Sequence, residues 1–442
     1  MKRLSLLLLS IPLFGSAQTD PAEPASPKAA GETVASATEE RPFTRITPQD
    51  GAPTVRAIAA LDSSNVFFLN HRGQIGIAKF SPGLSLIGWE FYSEMKLSAL
   101  TALAIGPNYS ILTASPVELT QSFDTDEDVE LDFFQALVTD WPGREEGVAI
   151  TAGPQAGPDG RILVALSPQA ETEDTPAKAK LMAWLPSLEE PIVVTESQLQ
   201  INAFTVSDEG LLAARLYLPN YEDGYYISLT RLPPLNPDEP TLPPSPIPST
   251  LPSLLVPAEL TGRKEPAQLA FFRESGREKL LAICPGSPQL IEIGHSENSG
   301  VWEGSILVRD VLSEPVATAV EMVPGRLLGG GDQGFVPLEI DPERFRIAAL
   351  ELIDEGIVIR FNEPIDRFAG SKPESYSVTS VSLTGGTTRL NVQPVIESDG
   401  LSVVLKMGSL PTQSVVRVVC QNVPSETGER LLSNAAFYTI NR

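Results

Sequence analysis

The stretch LQINAFTVSDEGLLAARLYLPNYEDGYYISLTR, residues 199–231, decides the fold of this chain. Three apolar runs, 201–206, 211–218 and 225–229, are separated by a Ser-Asp-Glu-Gly turn and by a longer polar loop. Short apolar runs bounded by Gly, Pro, Asp and Asn are typical of β-strands joined by hairpins. One such sheet has two apolar faces and cannot bury both alone, so the pattern predicts stacked copies.

The same unit recurs along the chain. The first strands of its copies begin near Val55, Ala99, Gly147, Ile201, Ala267 and Pro315, which places the copies 44 to 66 residues apart. Four-stranded blades of a β-propeller recur at about 40–50 residues. The sequence therefore predicts an all-β fold with a six-bladed propeller over residues 45–344. If two units have been counted as one, the propeller has seven blades instead.

The one long interval between units contains a proline-rich segment, residues 233–257, with ten prolines among 25 residues. Proline removes the backbone donor that a strand ladder needs. We therefore predict an extended surface excursion over 233–257, with no strand in it.

From Phe345 the strand pattern becomes denser, with about seven short apolar runs in roughly 95 residues. Turns at Asp354-Glu355-Gly356 and Ser398-Asp399-Gly400 separate some of these runs. Many short strands with regular turn signals are typical of an immunoglobulin-like β-sandwich, which we predict for residues 345–442. This boundary implies that the propeller folds without the sandwich.

The first 44 residues differ in character from the rest. A basic start, an apolar core from Leu4 to Phe14 and the small residues Gly15-Ser16-Ala17 predict a signal peptide over residues 1–17. Residues 18–44, rich in Ala, Pro, Glu, Thr and Ser, predict a disordered tether. We expect an exported protein, periplasmic or extracellular, without a transmembrane segment.

Composition excludes several function classes. The net charge is −24, which disfavours nucleic acid and anionic membranes as partners. The two cysteines, Cys284 and Cys420, lie in apolar runs and are interpreted as buried, inert thiols. With only two histidines, His71 and His295, a histidine-based zinc site is excluded, and we predict no metal site. We interpret His295 as an ordinary loop residue.

Two sequence motifs lack features that the binding sites they suggest would require. Asp124, Asp126 and Asp128 alternate as in a calcium loop, but the glycine and the final glutamate of an EF-hand are missing. Residues 329–334, GGGDQG, satisfy the dinucleotide pattern, but an apolar run typical of a strand follows where a helix is needed. We predict a hairpin turn there.

Five runs within residues 329–442 are similar to those of a known protein family: GGGDQGFVPLEI, IVIRFNEPID, PESYSV, SDGLSVVLKM and FYTIN. They resemble the end of a family of secreted bacterial proteins, often labelled membrane-bound dehydrogenase or haem-binding. These join a propeller similar to glucose/sorbosone dehydrogenases to an immunoglobulin-like module. The chain departs from the family in lacking a CxxCH haem motif. It also has Gln333 and Phe335 where an Arg and a Trp are common.

Topology brings two polar turns together. His71 and Arg72 lie between the second and third strands of the first unit, and Asp332 and Gln333 lie at the same place in the last unit. In a closed ring these units are neighbours, so His71, Arg72 and Asp332 are expected at one mouth of the central channel. We take Arg72, Asp332 and Gln333 as candidate ligand-binding residues, and His71 as the candidate catalytic residue.

Two functions follow from these observations. The first is a non-catalytic binding or scaffold protein that engages a glycan or an extracytoplasmic protein through a propeller face and needs no cofactor. The second is a quinone-dependent sugar or aldose dehydrogenase. The resemblance implies for it a histidine base, here His71, with pyrroloquinoline quinone (PQQ) and Ca²⁺ as cofactors. The scarcity of histidine and the missing haem motif favour the first.

Overall fold

The computed structural model describes residues 53–93, 102–126, 130–139, 141, 147–168, 178–185, 190–217, 224–233, 254–298, 300–339, 341, 343–382 and 386–442. The predicted signal peptide, the predicted tether and most of the proline-rich segment lie outside these ranges. Within them, no helix is long and apolar enough to cross a membrane.

Six antiparallel meanders follow one another between Ala57 and Pro337, and each pairs strands that are neighbours in sequence. The first three blades contain β1 (Ala57–Ala60), β2 (Asn65–Leu69), β3 (Ile75–Phe80), β4 (Leu86–Phe91); β5 (Leu103–Ile105), β6 (Ile111–Ser115), β7 (Glu118–Phe123), β8 (Phe133–Val138); β9 (Val148–Ala156), β10 (Ile162–Pro168), β11 (Ala179–Trp184), β12 (Ile192–Ser197). The last three contain β13 (Gln200–Val206), β14 (Leu211–Tyr217), β15 (Gly224–Arg231), β16 (Leu254–Pro257); β17 (Gln268–Glu274), β18 (Arg277–Ile283), β19 (Gln289–Asn298), β20 (Val301–Val311); β21 (Thr318–Val323), β22 (Arg326–Gly331), β23 (Gly334–Pro337).

The first strands of the six meanders form a closed ring. In order, β1, β5, β9, β13, β17 and β21 each contact the next, and β21 contacts β1. The backbone N–H of Val55, just before β1, donates to the carbonyl of Gly331 at 2.9 Å and joins the last blade to the first. The fold is a β-propeller, and the described residues contain the six predicted blades.

Neighbouring first strands run in the same direction. The Thr151 hydroxyl donates to the Ile201 carbonyl at 2.6 Å, and the Gln155 amide donates to the Thr205 hydroxyl at 3.1 Å, so β9 and β13 keep one register. The Gln268 side chain bridges β17 and β21 in the same manner, accepting a backbone N–H of β21 at 2.9 Å. Equivalent turns of all these blades therefore open at the same end of the ring.

The alternation within each strand explains why the blades stack. On β14, Leu211 and Ala213 pack in the apolar cluster toward blade 5, whereas Leu212, Ala214 and Leu216 pack in the cluster toward blade 3. Successive side chains of a strand point to opposite faces, so an unbroken apolar run serves two neighbours. Burying one such leucine stabilises the fold by about 1.5–3 kcal/mol relative to leaving it exposed.

The chain after the propeller forms two further four-stranded layers. Their elements are β24 (Ile347–Ile353), β25 (Gly356–Phe361), α1 (Arg367–Gly370), β26 (Tyr376–Ser382), β27 (Thr387–Leu390), β28 (Val392–Ile396), β29 (Ser402–Met407), β30 (Ser414–Cys420) and β31 (Ala435–Ile440). One layer has the order β24-β25-β29-β28 and the other β31-β30-β26-β27. Both contribute to one buried cluster that includes Phe345, Ile359, Val403, Val416 and Tyr438. The layers make a sandwich, and its immunoglobulin-like character stays a prediction.

The second layer of the sandwich continues directly into blade 5. Strand β31 pairs with β20 over three residues, including Ile306 opposite Phe437, and a single eight-stranded sheet runs from β17 to β27. Phe437 is buried in the same cluster as Leu254 and Ile306. The Thr439 hydroxyl also accepts the backbone N–H of Leu255 at 3.2 Å. The predicted boundary at residues 344/345 stays a prediction, but the sheet crosses it.

The prediction of a strand-free segment over 233–257 was wrong for its last four residues. Leu254–Pro257 forms β16, and Leu254 to Pro257 pair with Ile227 to Gly224 of β15. The physical reason is local: three apolar residues keep their backbone donors and are buried, and the one proline stands at the end of the strand. Proline is tolerated at such a position because only one ladder donor is lost.

Candidate functional site at one mouth of the propeller channel

A cavity of about 820 Å³ lies on the axis of the ring and is lined by the first strands of all six blades. Small residues form much of its wall, among them Ala57, Ala104, Ala152, Ala203 and Ala319. Because first strands with small side chains keep the axis open, the channel has the size of a pocket for a small molecule.

The two ends of this channel differ in charge. At the end where the first strands begin, which we call the His71 mouth, the ionisable lining residues are Arg56 and His71. At the other end, which we call the distal mouth, the channel is lined by acidic side chains of three blades and by Arg273. The acidic residues are Asp208, Glu278 and Glu321.

The His71 mouth carries a histidine–carboxylate pair. His71 Nε2 lies 2.8 Å from Asp332 Oδ1, and the two residues are 261 positions apart in sequence. His71 lies on the β2–β3 turn of blade 1 and Asp332 on the β22–β23 turn of blade 6, so closure of the ring brings them together. The side chains are 49% and 80% exposed, respectively. A carboxylate hydrogen-bonded to one ring nitrogen fixes the orientation of the imidazole, so the other ring nitrogen points in a defined direction.

Local hydrogen bonds hold the first turn in shape. The Asn70 side-chain oxygen accepts the backbone N–H groups of Arg72 and Gln74, both at 2.9 Å. Gly73 has a φ of 78°, a conformation that glycine adopts without strain. These interactions fix the conformation of the turn, in which His71 and Arg72 are exposed to solvent.

The second turn is a two-residue hairpin. Gly331 pairs with Gly334, and Asp332 and Gln333 form the loop between them. Gly334 has a φ of 98°, which explains the glycine at this position. The prediction of a hairpin in place of a dinucleotide loop is confirmed, since β23 follows where a helix would be required.

The structure brings together only some of the residues chosen from sequence. His71 and Asp332 are in contact, whereas Arg72 and Gln333 are exposed neighbours of that pair on the same two turns. Their roles in binding stay predictions. Sequence reasoning missed Arg56, which lines the channel one residue before β1. Alignment of the six units would have found it, because residues at the start of each first strand face the axis.

Thr318, at the start of β21, is a second missed residue. It lines the channel, is 1% exposed, and its hydroxyl has no hydrogen-bond partner among the described residues. A buried hydroxyl without a partner carries a cost of about 1–3 kcal/mol. A polar ligand in the channel would remove that cost.

Neither cysteine is suited to nucleophilic chemistry. Cys284 and Cys420 are free and buried, and burial raises the pKa of each thiol to about 12. Both thiols are therefore protonated at neutral pH and poorly reactive. Their interpretation as inert buried residues is confirmed.

The second histidine does not lie in a loop, so that prediction was wrong. His295 is part of β19, and its side chain is 6% exposed. It packs between the rings of Phe271 and Trp302, with ring centroids 5.9 and 5.7 Å away. Strand β19 includes His295 because β20 pairs with it beyond that residue, up to Asn298 opposite Val301.

The described residues contain no group of three or more His, Cys, Asp or Glu side chains that could hold a metal ion. Of the acidic triplet at 124–128, Asp124 and Asp126 are described, and Asp128 lies outside the described residues. The described carboxylates therefore form no cluster for the Ca²⁺ ion that a quinone-dependent enzyme of this kind would imply, and backbone or amide carbonyls would have to supply most of its ligands.

No protein-family model matches this chain, and no curated protein is significantly similar to it. Among solved structures, a glucose dehydrogenase-type oxidoreductase from Thermus thermophilus aligns with a TM-score of 0.46 and 16% identity, over 64% of this chain and 92% of the other. The PQQ domain of pyranose dehydrogenase from Coprinopsis cinerea aligns with a TM-score of 0.42 and 11% identity, over 64% and 91%.

A gluconolactonase from Xanthomonas campestris aligns with a TM-score of 0.41 and 13% identity, over 65% of this chain and 86% of the other. Likenesses of this size say nothing about the chemistry of this chain. The site must therefore be judged on its own residues.

Proposed function

We propose that this protein acts on a carbohydrate at the His71 mouth, with His71 as a base toward a sugar hydroxyl in a quinone-dependent oxidation. The 2.8 Å contact between His71 and Asp332 carries the proposal. A base held by a carboxylate keeps its second nitrogen in a fixed direction, which general-base catalysis requires. The channel behind it has room for a small ligand.

The quinone implied by the resemblance carries carboxylates and carbonyl groups. Arg56 and Thr318, at the start of the channel wall, fit such a group, because one offers a guanidinium and the other a hydroxyl without a partner among the described residues. Bound there, the quinone would supply the acceptor for the hydride removed from the sugar carbon. His71 accepts the proton of the hydroxyl on that carbon, and Asp332 stabilises the imidazolium that forms.

The test is dye-linked oxidation of an aldose panel by the full chain supplied with PQQ and Ca²⁺. We expect His71→Ala to abolish turnover and Asp332→Asn to lower it by about 10²-fold or more, as for removal of a positioned base. Asp354→Asn is the matched control, since Asp354 is an exposed carboxylate on the β24–β25 turn of the sandwich. Absence of oxidation by the unmutated protein would refute the reaction.

A second function, binding without turnover, is favoured by the exposure of the pair. With side chains 49% and 80% exposed, His71 and Asp332 are accessible to a glycan chain or to a protein surface. Exclusion of water strengthens catalytic interactions, and no such exclusion surrounds this pair. Sugar binding by calorimetry in a protein that oxidises no sugar would establish this second function.

A further inference from the structure

The arginines of the His71 mouth stand out in an acidic chain. Arg56 and Arg72 are exposed, and neither has an ion pair or a side-chain hydrogen bond to another described residue. At the distal mouth, by contrast, Arg273 lies 3.3 Å from Glu209. The chain carries 56 acidic residues against 32 basic ones, so unpaired arginines beside a channel call for an explanation.

The carboxylate at this mouth is already engaged. Asp332 contacts His71, and among the described residues no ion pair joins it to Arg56 or Arg72. A local cluster of positive charge on a strongly anionic protein raises the concentration of anions at that place. A guanidinium also binds carboxylate and phosphate groups with two parallel hydrogen bonds, which gives it geometric selectivity.

We infer that the carbohydrate taken at the His71 mouth is an anionic sugar, bearing a carboxylate or a phosphate, and that Arg72 selects it. Arg72 follows His71 directly on an exposed turn and is not part of the channel wall, whereas Arg56 is. Arg72 is therefore placed for the outer ligand, next to the base, and Arg56 for a group inside the channel. The inference rests on the carbohydrate site proposed above, but not on turnover.

The experiment measures affinity by calorimetry on the full chain without cofactor. Glucuronate, glucose 6-phosphate and glucose are compared at low and at physiological salt, for the unmutated protein, Arg72→Gln and Arg72→Lys. Arg389→Gln is the matched control, since Arg389 is an exposed arginine on the edge strand β27 of the sandwich. The two anionic ligands decide whether the selected group is a carboxylate or a phosphate.

We expect at least one anionic sugar to bind ten-fold or more tightly than glucose, with a preference that weakens as salt rises. Arg72→Gln should remove the preference, Arg72→Lys should retain part of it, and Arg389→Gln should leave it unchanged. Equal affinity for all three ligands would overturn the inference, as would a preference that survives Arg72→Gln. If none of the sugars binds, the proposed carbohydrate function itself fails.

Discussion

Strands β8 and β20 occupy the same place in their blades and differ in almost everything else. Each is the fourth strand of a meander, yet β8 has one buried position in six, whereas eight of the eleven residues of β20 are buried. The outer edge of β8 pairs with no other strand of the described chain, while that of β20 is covered by β31. The position of a strand in its blade therefore does not determine how far the strand is buried. For β20, the covering strand β31 does.

The buried side of blade 5 also holds charge. Arg309 of β20 contacts Glu274 at 2.9 Å and Glu292 at 2.6 Å, and Lys279 contacts both carboxylates at 2.6 Å. One residue comes from each strand of the blade, and Arg309 and Glu292 are 3% and 8% exposed. Such a network is tolerated because every charge has a partner.

The largest expected effect comes from deleting residues 345–442. The boundary predicted from sequence implies a propeller that still melts cooperatively. We expect the opposite, because the deletion uncovers β20 and removes Phe437 from the core it shares with blades 4 and 5. Calorimetry and near-ultraviolet circular dichroism on the shortened chain measure this. A sharp transition near that of the full chain would show that the propeller is autonomous.

Arg309→Met should destabilise the fold by up to about 3–5 kcal/mol, because it removes one of the two cations that contact the buried Glu292 at 2.6 Å. Arg417→Met is the matched control, since Arg417 pairs with Glu259 at a site where both side chains are more than a third exposed. Exposed pairs contribute about 0–1 kcal/mol. Denaturant unfolding compares the two variants, and equal losses would contradict the buried network.

Two phenylalanines test the comparison between blades directly. Phe437→Ala removes a side chain that is 4% exposed in the core behind β20, and we expect a loss of about 3–5 kcal/mol. Phe133→Ala truncates a residue of β8 that is 50% exposed, and we expect a loss below about 1 kcal/mol. Similar losses in urea unfolding would mean that β8 is covered in solution.

The smallest effect should appear in acid. Burial opposes ionisation of Glu274, but the hydrogen bond from Lys279 and the charge of Arg309 outweigh it, so the pKa of Glu274 lies below its ordinary value of 4.5. A lowered carboxyl pKa contributes stability that is present above pH 4.5 and is lost as the pH falls through the folded-state value. In Glu274→Gln the unfolding free energy should be lower at neutral pH and should fall less steeply below pH 4.5. An unchanged acid slope would exclude this assignment.

The repeating pattern of short apolar runs was sufficient for the propeller and for its six blades. It failed where local signals mislead. The many prolines of the segment argued against a strand, yet the three apolar residues of β16 are enough to form one. It also gave no sign that β31 would pair with β20, because nothing near Ile306 encodes a partner at Phe437. Pairing over such a distance follows from the closed tertiary structure, not from local preference.

The candidate site shows the same division. The contact between His71 and Asp332 could be expected from topology alone, since equivalent turns of adjacent blades meet in a ring. Arg56 and Thr318 have no distinctive local pattern, because each is a polar residue at the start of a strand, so only an alignment of the six units could have marked them. Both residues become candidates only because the first strands surround the axis of the ring, so that residues at their start line the channel.

The pairing of β31 with β20 has a consequence during synthesis. Ile306 leaves the ribosome about 130 residues before Phe437, its partner across the ladder, which at 5–20 residues per second is a delay of roughly ten seconds. Throughout that interval the nascent β20, an apolar strand without proline, has an open edge. Such an edge is a template for pairing with other chains, so slower translation of residues 312–434 should increase aggregation of this protein in the cell.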